Sequence, residues 1–188
     1  MGMPPRDTST EGHAMTQARA DQGNLATSAT DQAEERPPAP QHVYVLNGPN
    51  LNMLGKREPH LYGHTSLSEV EQQCGKLAEE LGMQMFFGQS NAEHQLIDWL
   101  HEAREKPAGV VINPAGLSFR SIPLLDALKI LEQPIVEIHI TNIHKRESLY
   151  QESLVSKAAT AVICGAGAFG YELALRAMAN ELDRLNDD

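Results

Sequence analysis

The chain has 188 residues, and its 25 acidic and 15 basic side chains give a formal net charge of −10 at pH 7. An acidic chain without basic runs is a poor candidate for binding nucleic acid or an anionic membrane, because both interactions depend on summed positive charge. No stretch approaches the roughly 20 apolar residues of a membrane span, and the first residues lack the apolar run of a secretory signal, so we expect a cytoplasmic protein with neither kind of partner.

The first 42 residues are predicted to form a disordered tail ahead of a folded domain at residues 43–188. From Met1 to His42, the only large aliphatic or aromatic residue apart from methionine is Leu25, and the stretch holds five of the eleven prolines. Such a segment buries too little apolar surface to offset the entropy of ordering the backbone, which is about 1–2 kcal/mol per residue.

Predicted strands and helices alternate along the folded part. The strands are short apolar runs at Val43–Asn47, Met83–Gln89, Ala108–Asn113, Ile135–Ile140 and Thr160–Cys164. The helices are amphipathic stretches at 66–82, where Ser66 and Glu69 form a capping box, and at 92–105, 122–132 and 169–185. This alternation predicts an α/β fold, a flavodoxin-like doubly wound sheet of five parallel strands in three layers.

Three of the predicted strands run into polar segments. Asn47-Gly48-Pro49-Asn50 follows the first strand, Asn113-Pro114-Ala115-Gly116 follows the third, and the fourth continues through Glu137–His144. In a doubly wound sheet the ligand site lies at the carboxyl ends of the strands, around the switch in strand order. We therefore expect these segments to converge on one edge, although the first is also typical of a simple turn.

The stretch from Leu51 to Gly63 is long and irregular, as lids over active sites often are. It contains Tyr62, and a phenol has an ordinary pKa near 10, so serving as a base near neutral pH requires lowering that pKa by about three units, or roughly 4 kcal/mol. Arg57, a permanent cation in the same stretch, is the candidate source of that stabilisation.

The fourth strand carries Glu137 and His139, which share one face because side chains alternate along a strand. The carboxylate can orient the imidazole and hold a proton on it, as an acid catalyst needs. The alternative is a structural histidine, but a position at the carboxyl end of a central strand favours catalysis.

Two other features are interpreted as structural. Gly165–Gly170 spells GxGxxG between a strand and a helix, yet no further strand with an acidic residue follows, as a dinucleotide site requires. The glycines are expected to allow close strand–helix packing or to help a helix N-terminus meet an anion. Cys74 and Cys164 lack the number and spacing of a metal site or disulfide framework, and are interpreted as small buried hydrophobes.

Four segments resemble the type II 3-dehydroquinate dehydratases, small flavodoxin-like lyases of the shikimate and quinate pathways. They read LNGPNLNMLGKREPHLYG at 46–63, QSNAEHQLIDWLH at 89–101, EIHITNIHKRE at 137–147 and GAGAFGYELAL at 165–175. The resemblance implies elimination of water from 3-dehydroquinate, through an enolate, to give 3-dehydroshikimate. It also implies that no metal and no organic cofactor takes part, and that the protein is a homododecamer built as a tetramer of trimers.

The resemblance carries catalytic roles onto matching residues. Tyr62, activated by Arg57, is similar to the base that removes a proton from the carbon beside the substrate ketone. Asn50 is similar to the residue that holds a water against the resulting enolate. His139, oriented by Glu137, is similar to the acid that protonates the departing hydroxyl.

Substrate-binding roles follow from the same resemblance. Asn113, Thr141 and the backbone N–H groups of Ile140 and Thr141 resemble the family's clamp for the substrate carboxylate. Arg146 matches an arginine near the lid. Asp126 matches an aspartate that reaches into a neighbouring subunit's site.

Some positions of the pocket depart from the family pattern. Phe119 stands where the family usually has a histidine, Tyr150 replaces a second arginine, and Leu125 replaces an arginine before the aspartate. The lost histidine and second arginine normally grip ring hydroxyls, and leaving a buried hydroxyl unpaired costs about 1–3 kcal/mol. The Tyr150 phenol, or Arg120 swinging into the vacant place, would reduce that loss.

These departures leave three functions open. The leading one is 3-dehydroquinate dehydratase. The second is a paralogue that performs the same elimination on a less hydroxylated cyclic keto acid, because Phe119 makes that side of the pocket more apolar. The third is a non-catalytic family member, which is disfavoured because all five residues assigned to the chemistry are intact.

Overall fold

The computed structural model describes residues 41–56 and 63–187, so that residues 1–40 of the predicted tail lie outside the described residues. The strands are β1 Gln41–Asn47, β2 Met83–Gln89, β3 Gly109–Asn113, β4 Ile135–His139 and β5 Ala161–Cys164. They form one sheet in the order β2-β1-β3-β4-β5, with every neighbouring pair parallel. The chain leaves β1 for β2 on one side and returns to β3 on the other, which places the switch in strand order between β1 and β3.

Helices cover both faces of this sheet. They are α1 Leu67–Glu80, α2 Glu93–Glu105, α3 Ile122–Lys129 and α4 Gly170–Asp187. One apolar core lies between the sheet and helices α1 and α4, and a second lies between the opposite face and helices α2 and α3. The predicted fold class, a three-layer flavodoxin-like sheet of five parallel strands, is confirmed.

The predicted capping box sets the start of α1. The Ser66 side chain accepts the backbone N–H of Glu69, and the Glu69 carboxylate accepts the backbone N–H of Ser66 at 2.8 Å. Two of the helix's unpaired N–H groups are thereby satisfied. The helix ends before Gly82, whose φ of +71° is a conformation that glycine adopts readily.

The central strands are buried on both faces, and polar residues stand at their carboxyl ends. All five residues of β3 and all five of β4 are buried, which explains their nearly continuous apolar sequences. Three of these buried residues are polar rather than apolar: Asn113, the last residue of β3, and Glu137 and His139 in the second half of β4. Polar side chains in such a setting need partners, so these positions mark the functional edge of the sheet.

Most element boundaries fall within two residues of the prediction. Strand β1 starts at Gln41, two residues earlier than expected, because Gln41 and His42 pair with β2 despite their polar side chains. Helix α3 ends at Lys129, whereas the prediction ran to residue 132. Five residues later the Pro134 carbonyl oxygen accepts the Val110 N–H at 3.0 Å, and the extended geometry favoured before a proline is incompatible with a continued helix.

The helices were also compared with the length and hydropathy of membrane spans. Across residues 41–56 and 63–187, none is both long and apolar enough to cross a bilayer.

Candidate active site

A cavity of about 240 Å³ opens at the carboxyl edge of the sheet, where the chain leaves β1, β3 and β4. The predicted convergence of three polar segments on this edge is confirmed. Eight of the predicted site residues line the cavity, and they are Asn50, Asn113, Phe119, His139, Ile140, Thr141, Arg146 and Tyr150.

The segments after β1 and β3 meet so closely that only glycine fits at the contact. The Gly48 N–H donates to the Asn113 carbonyl oxygen at 2.8 Å. A Cβ atom on residue 48 would lie 2.4 Å from the Pro114 carbonyl oxygen, closer than non-bonded atoms tolerate. The turn at Asn47–Asn50 therefore does more than reverse the chain, because it fixes the segment after β1 against the segment after β3.

Asn50 is held in place by two residues at and just after the end of β2, Gln89 and Asn91. Its backbone is left-handed, with φ +69°, and its N–H donates to the Asn91 side-chain oxygen at 2.8 Å. The Gln89 amide donates both to the same Asn91 oxygen at 3.1 Å and to the Gly48 carbonyl oxygen at 3.2 Å. Sequence reasoning assigned Gln89 and Asn91 no role, although both fall in a segment that resembles the family.

A buried network fixes the amide of Asn113. Its Nδ2 donates to the Tyr171 hydroxyl at 2.9 Å, and that hydroxyl donates to Asn47 Oδ1 at 2.6 Å. Asn47 Nδ2 donates in turn to the Gly88 carbonyl oxygen at 3.1 Å. Burial raises the pKa of the Tyr171 phenol, only partly offset by the Asn113 hydrogen bond. The hydroxyl therefore stays protonated, and one amide orientation of Asn113 is selected.

Glu137 and His139 form the predicted pair. Glu137 Oε1 lies 2.7 Å from His139 Nε2, and the two side chains are 0% and 5% exposed. Ser153 Oγ donates to Glu137 Oε1 at 2.5 Å, and Ser156 Oγ donates to Oε2. Burial pushes the pKa of Glu137 upward, but hydrogen bonds from His139 and both serines, with the attraction of His139, leave it below its ordinary value. The carboxylate is therefore ionised and can hold a proton on Nε2.

The glycine-rich turn supports the end of β4. The Gly165 N–H donates to the His139 carbonyl oxygen at 3.1 Å, and the Gly167 N–H donates to that of Ile140 at 3.0 Å. A Cβ on Gly170 would lie 3.1 Å from Ile138 Cδ1. This agrees with the interpretation of GxGxxG as a close-packing turn.

Phe119 and Tyr150, here called the aromatic wall, form one side of the cavity. Their ring centroids lie 5.3 Å apart with the planes at 82°, and Phe119 also lies 6.5 Å from the nearly parallel imidazole of His139. The Arg146 guanidinium carbon sits 4.3 Å from the Tyr150 ring centroid. Arg120 is exposed and does not line the cavity, so the described structure does not place it where the family's histidine would be.

Four predicted site residues are not on the described lining. Glu137 contacts His139 but does not itself line the cavity. Asp126 is exposed on α3, away from the cavity of its own subunit. Arg57 and Tyr62 lie outside the described residues. Their roles as activator and base stay predictions.

No three histidine, cysteine, aspartate or glutamate side chains gather as a metal site would need within the described parts of the chain. Cys74 is buried, which agrees with its interpretation as a small hydrophobe, and burial raises its pKa to about 12. Cys164 is half-buried and unpaired with Cys74.

Comparisons with known proteins agree on one family. Residues 41–179 match the class II dehydroquinases. The chain is 51% identical over 140 residues to "3-dehydroquinate dehydratase 2" of Agrobacterium fabrum, covering 74% of this chain and 95% of that protein. It is 49% identical over 141 residues to "3-dehydroquinate dehydratase 2" of Pseudomonas aeruginosa, covering 75% of this chain and 95% of that one.

Solved structures give the same result. A type II dehydroquinase from Propionibacterium acnes is similar with a TM-score of 0.72 and 41% identity, covering 74% of this chain and 97% of that one. A 3-dehydroquinate dehydratase-like protein from Bifidobacterium longum is similar with a TM-score of 0.58 and 28% identity, covering 76% and 98%.

Proposed function

The chain belongs to the class II dehydroquinase family, and we propose from this membership that its cavity eliminates water from 3-dehydroquinate to give 3-dehydroshikimate. The enzyme is a hydro-lyase acting on a small-molecule substrate. The observation that carries the proposal is the buried Glu137–His139 pair at the carboxyl edge of the sheet, in a chain about half identical to curated 3-dehydroquinate dehydratases.

The first half of the reaction makes an enolate. Tyr62, with its pKa lowered by Arg57, takes a proton from the carbon beside the ketone. The C–H electron pair forms the enolate carbon–carbon double bond, and the carbonyl π pair moves onto the ketone oxygen. Asn50 holds a water that donates a hydrogen bond to this oxygen. The support for Asn50 is its place on the cavity and its backbone anchor to Asn91.

The second half expels water. The enolate electron pair returns to form the carbon–carbon double bond, and the bond to the β-hydroxyl breaks. His139 gives that hydroxyl a proton, so the leaving group departs as water. General acid catalysis of this kind contributes typically about 10²- to 10⁴-fold. The burial of the pair and the ionised state of Glu137 support this role.

The substrate carboxylate is proposed to bind Asn113, the Thr141 hydroxyl and the backbone N–H groups of Ile140 and Thr141. All three residues line the cavity. The amide of Asn113 is already oriented by Tyr171, so one N–H is used there and the second is available to a ligand. Arg146, the cation on the described lining, is proposed to add positive charge at the same end.

The direct test is the ultraviolet absorbance of the conjugated enone when the full chain is mixed with 3-dehydroquinate. We expect the band to grow with wild type and to fail to grow with Tyr62→Phe, which keeps the ring and removes the base. A wild type that forms no enone would contradict the proposed reaction.

The aromatic wall favours a second candidate, the same elimination on a cyclic β-hydroxy keto acid with fewer ring hydroxyls. Phe119 offers such a ring an apolar surface, and Tyr150 offers a single hydroxyl. Turnover of 1-hydroxy-3-oxocyclohexane-1-carboxylate in preference to 3-dehydroquinate would support this candidate. In that case Phe119→His with Tyr150→Arg should shift preference back to 3-dehydroquinate.

The assembly and location are also proposals. We propose a homododecamer, a tetramer of trimers, in which Asp126 serves a neighbouring subunit's cavity. Its exposure on α3, away from its own cavity, supports this. An active monomer in size-exclusion chromatography would contradict it. The proposed setting is the cytoplasm, in biosynthetic shikimate or catabolic quinate chemistry.

A further inference from the structure

Two serines hold the carboxylate that orients the proposed acid. Ser153 Oγ donates to Glu137 Oε1 at 2.5 Å, the oxygen that also lies 2.7 Å from His139 Nε2. Ser156 Oγ donates to the other oxygen, Oε2. Both carboxylate oxygens are thus occupied by side-chain donors.

The segment that carries these serines is itself fixed. Val155, between them, is fully buried in the core beneath α2 and α3. The Leu154 N–H donates to the Ser118 carbonyl oxygen at 2.7 Å, and the Ala159 N–H donates to the Val155 carbonyl oxygen at 3.2 Å. The two hydroxyls are therefore presented by an anchored backbone and lose little freedom when they bind Glu137.

A fully buried carboxylate keeps its charge only when donors replace the water it has lost. Glu137 has three such donors, and each can donate to the ionised form at the same time. An ionised carboxylate is an acceptor only, so the proton between Glu137 and His139 belongs to Nε2. When the ring also carries a proton on its other nitrogen, Nδ1, that proton is the one it can give to the departing hydroxyl.

We propose that Ser153 and Ser156 are positioning residues, which set the orientation and charge of Glu137 and thereby the proton-donating state of His139. The proposal rests on the proposed function, because it concerns the acid of that dehydration. The serines act through Glu137 and need not touch substrate, and neither lines the cavity.

The surroundings of Glu137 make it responsive to the loss of these hydroxyls. Its partners across the sheet are Ile112 of β3 and Val162 of β5, both apolar. Among the described groups, His139 is the one whose charge acts on Glu137. Glu152 and Lys157 flank the serines but are exposed to solvent. No other described charge replaces the two hydrogen bonds, so removing them raises the pKa of Glu137.

The test compares Ser153→Ala, Ser156→Ala and the double variant with wild type, each as the full chain acting on 3-dehydroquinate. We expect kcat to fall about tenfold for each hydroxyl removed, while KM changes little. The acid limb of the kcat–pH profile should move to higher pH, because Glu137 then protonates more readily. Ser153→Thr, which keeps a hydroxyl, should restore most of the activity and the acid limb.

Ser148→Ala is the matched control. Ser148 is exposed in the same stretch of chain, and its side chain makes no hydrogen bond to another described residue. This variant should leave kcat and the pH profile unchanged. Lower thermal stability with an unmoved acid limb in the Ser153 and Ser156 variants would mean a merely structural role and would overturn the proposal.

A second readout needs no turnover. Histidine-selective ¹⁵N NMR of wild type at neutral pH should show that Nε2 of His139 carries a proton, and in the double variant part of the population should have Nε2 unprotonated. Unchanged protonation of Nε2 in the double variant overturns the serine proposal. An inactive wild type with the expected protonation of Nε2 in both proteins would instead refute the proposed reaction alone.

Discussion

The two sides of the cavity are held together in different ways. On the β4 side, the buried pair Glu137 and His139 and the half-buried Ser153 and Ser156 are joined by directional hydrogen bonds. On the other side of His139, the half-buried aromatic wall is held by ring contacts, with Arg146 lying over Tyr150. One side is thus specified atom by atom and the other mainly by shape.

This difference agrees with the expected departures from the family pattern, which fall at Phe119 and Tyr150. Proton transfer needs donor and acceptor atoms at hydrogen-bond distance, so a change on the β4 side would disturb the chemistry itself. Ring contacts tolerate substitution as long as volume is kept, because they have no fixed partner atoms. We therefore expect the residues at 119 and 150 to change what the cavity selects and to leave the proposed acid intact.

Removing the proposed acid, His139, should have the largest effect. His139→Asn keeps a polar side chain of similar reach but cannot donate an acidic proton. We expect kcat on 3-dehydroquinate to fall about 10²- to 10⁴-fold, with a much smaller change in KM. His144→Asn is the control, since His144 is exposed outside the cavity, and should match wild type. A loss below tenfold in His139→Asn would refute the acid role.

The charge of Glu137 should also appear in folding stability. Its pKa in the folded chain is lower than its ordinary value of 4.5. The stabilisation it contributes is therefore present above pH 4.5 and is lost as the pH falls through the lower, folded pKa. Glu137→Gln should cost about 1–3 kcal/mol at neutral pH. It should also flatten the loss of stability below pH 4.5, as measured by denaturant unfolding.

If wild type and Glu137→Gln unfold with the same pH dependence below pH 4.5, Glu137 is not ionised in the folded chain and the Glu137–His139 pair is neutral. That outcome would also remove the basis for assigning the proton to Nε2.

Tyr171→Phe tests how far the directional network extends beyond β4. It removes the hydroxyl shared by Asn47 and Asn113, so stability should fall by about 1–3 kcal/mol. KM should rise, because the Asn113 amide is no longer held in one orientation. Tyr44→Phe should lower the stability by less, because the Tyr44 hydroxyl contacts Lys106 and Glu102 near solvent. If Tyr171→Phe and Tyr44→Phe lower the free energy of unfolding equally, the buried hydrogen bonds of Tyr171 add no more stability than those of Tyr44 near solvent.

The smallest effect is expected in the aromatic wall. Tyr150→Phe keeps the ring beneath Arg146 and should change kcat/KM on 3-dehydroquinate by less than about tenfold. Tyr150→Ala removes the ring, and loss of a cation–π contact of about 0.5–1 kcal/mol should raise KM by a few-fold. A large fall in kcat for Tyr150→Phe would show that this side of the cavity also depends on a directional bond.

The sequence predicts the parts of the site that obey local periodicity. Glu137 and His139 share a face because strand side chains alternate, and the switch point follows from the order of strands and helices. Contacts between distant or irregular segments have no such signal. Ser153 and Ser156 lie 16 and 19 residues after Glu137 in an irregular stretch, and Tyr171 lies 124 residues from Asn47.

Two further expectations, the compensating position of Arg120 and the end of helix α3, differ from the structure. The suggested compensation by Arg120 is not found in the described structure, because Phe119 fills that side of the cavity while Arg120 faces solvent. Helix α3 ends at Lys129, three residues short of the prediction, ahead of Pro134, and a proline disfavours helical geometry at the residue before it.

The most direct measurement is a pair of progress curves for enone absorbance from 3-dehydroquinate, one with wild type and one with His139→Asn at equal folded concentration. Growth of the band with wild type and a loss of at least a hundredfold in the variant is the expected result. A silent wild type, or two superimposable curves, would contradict dehydration through the buried Glu137–His139 pair.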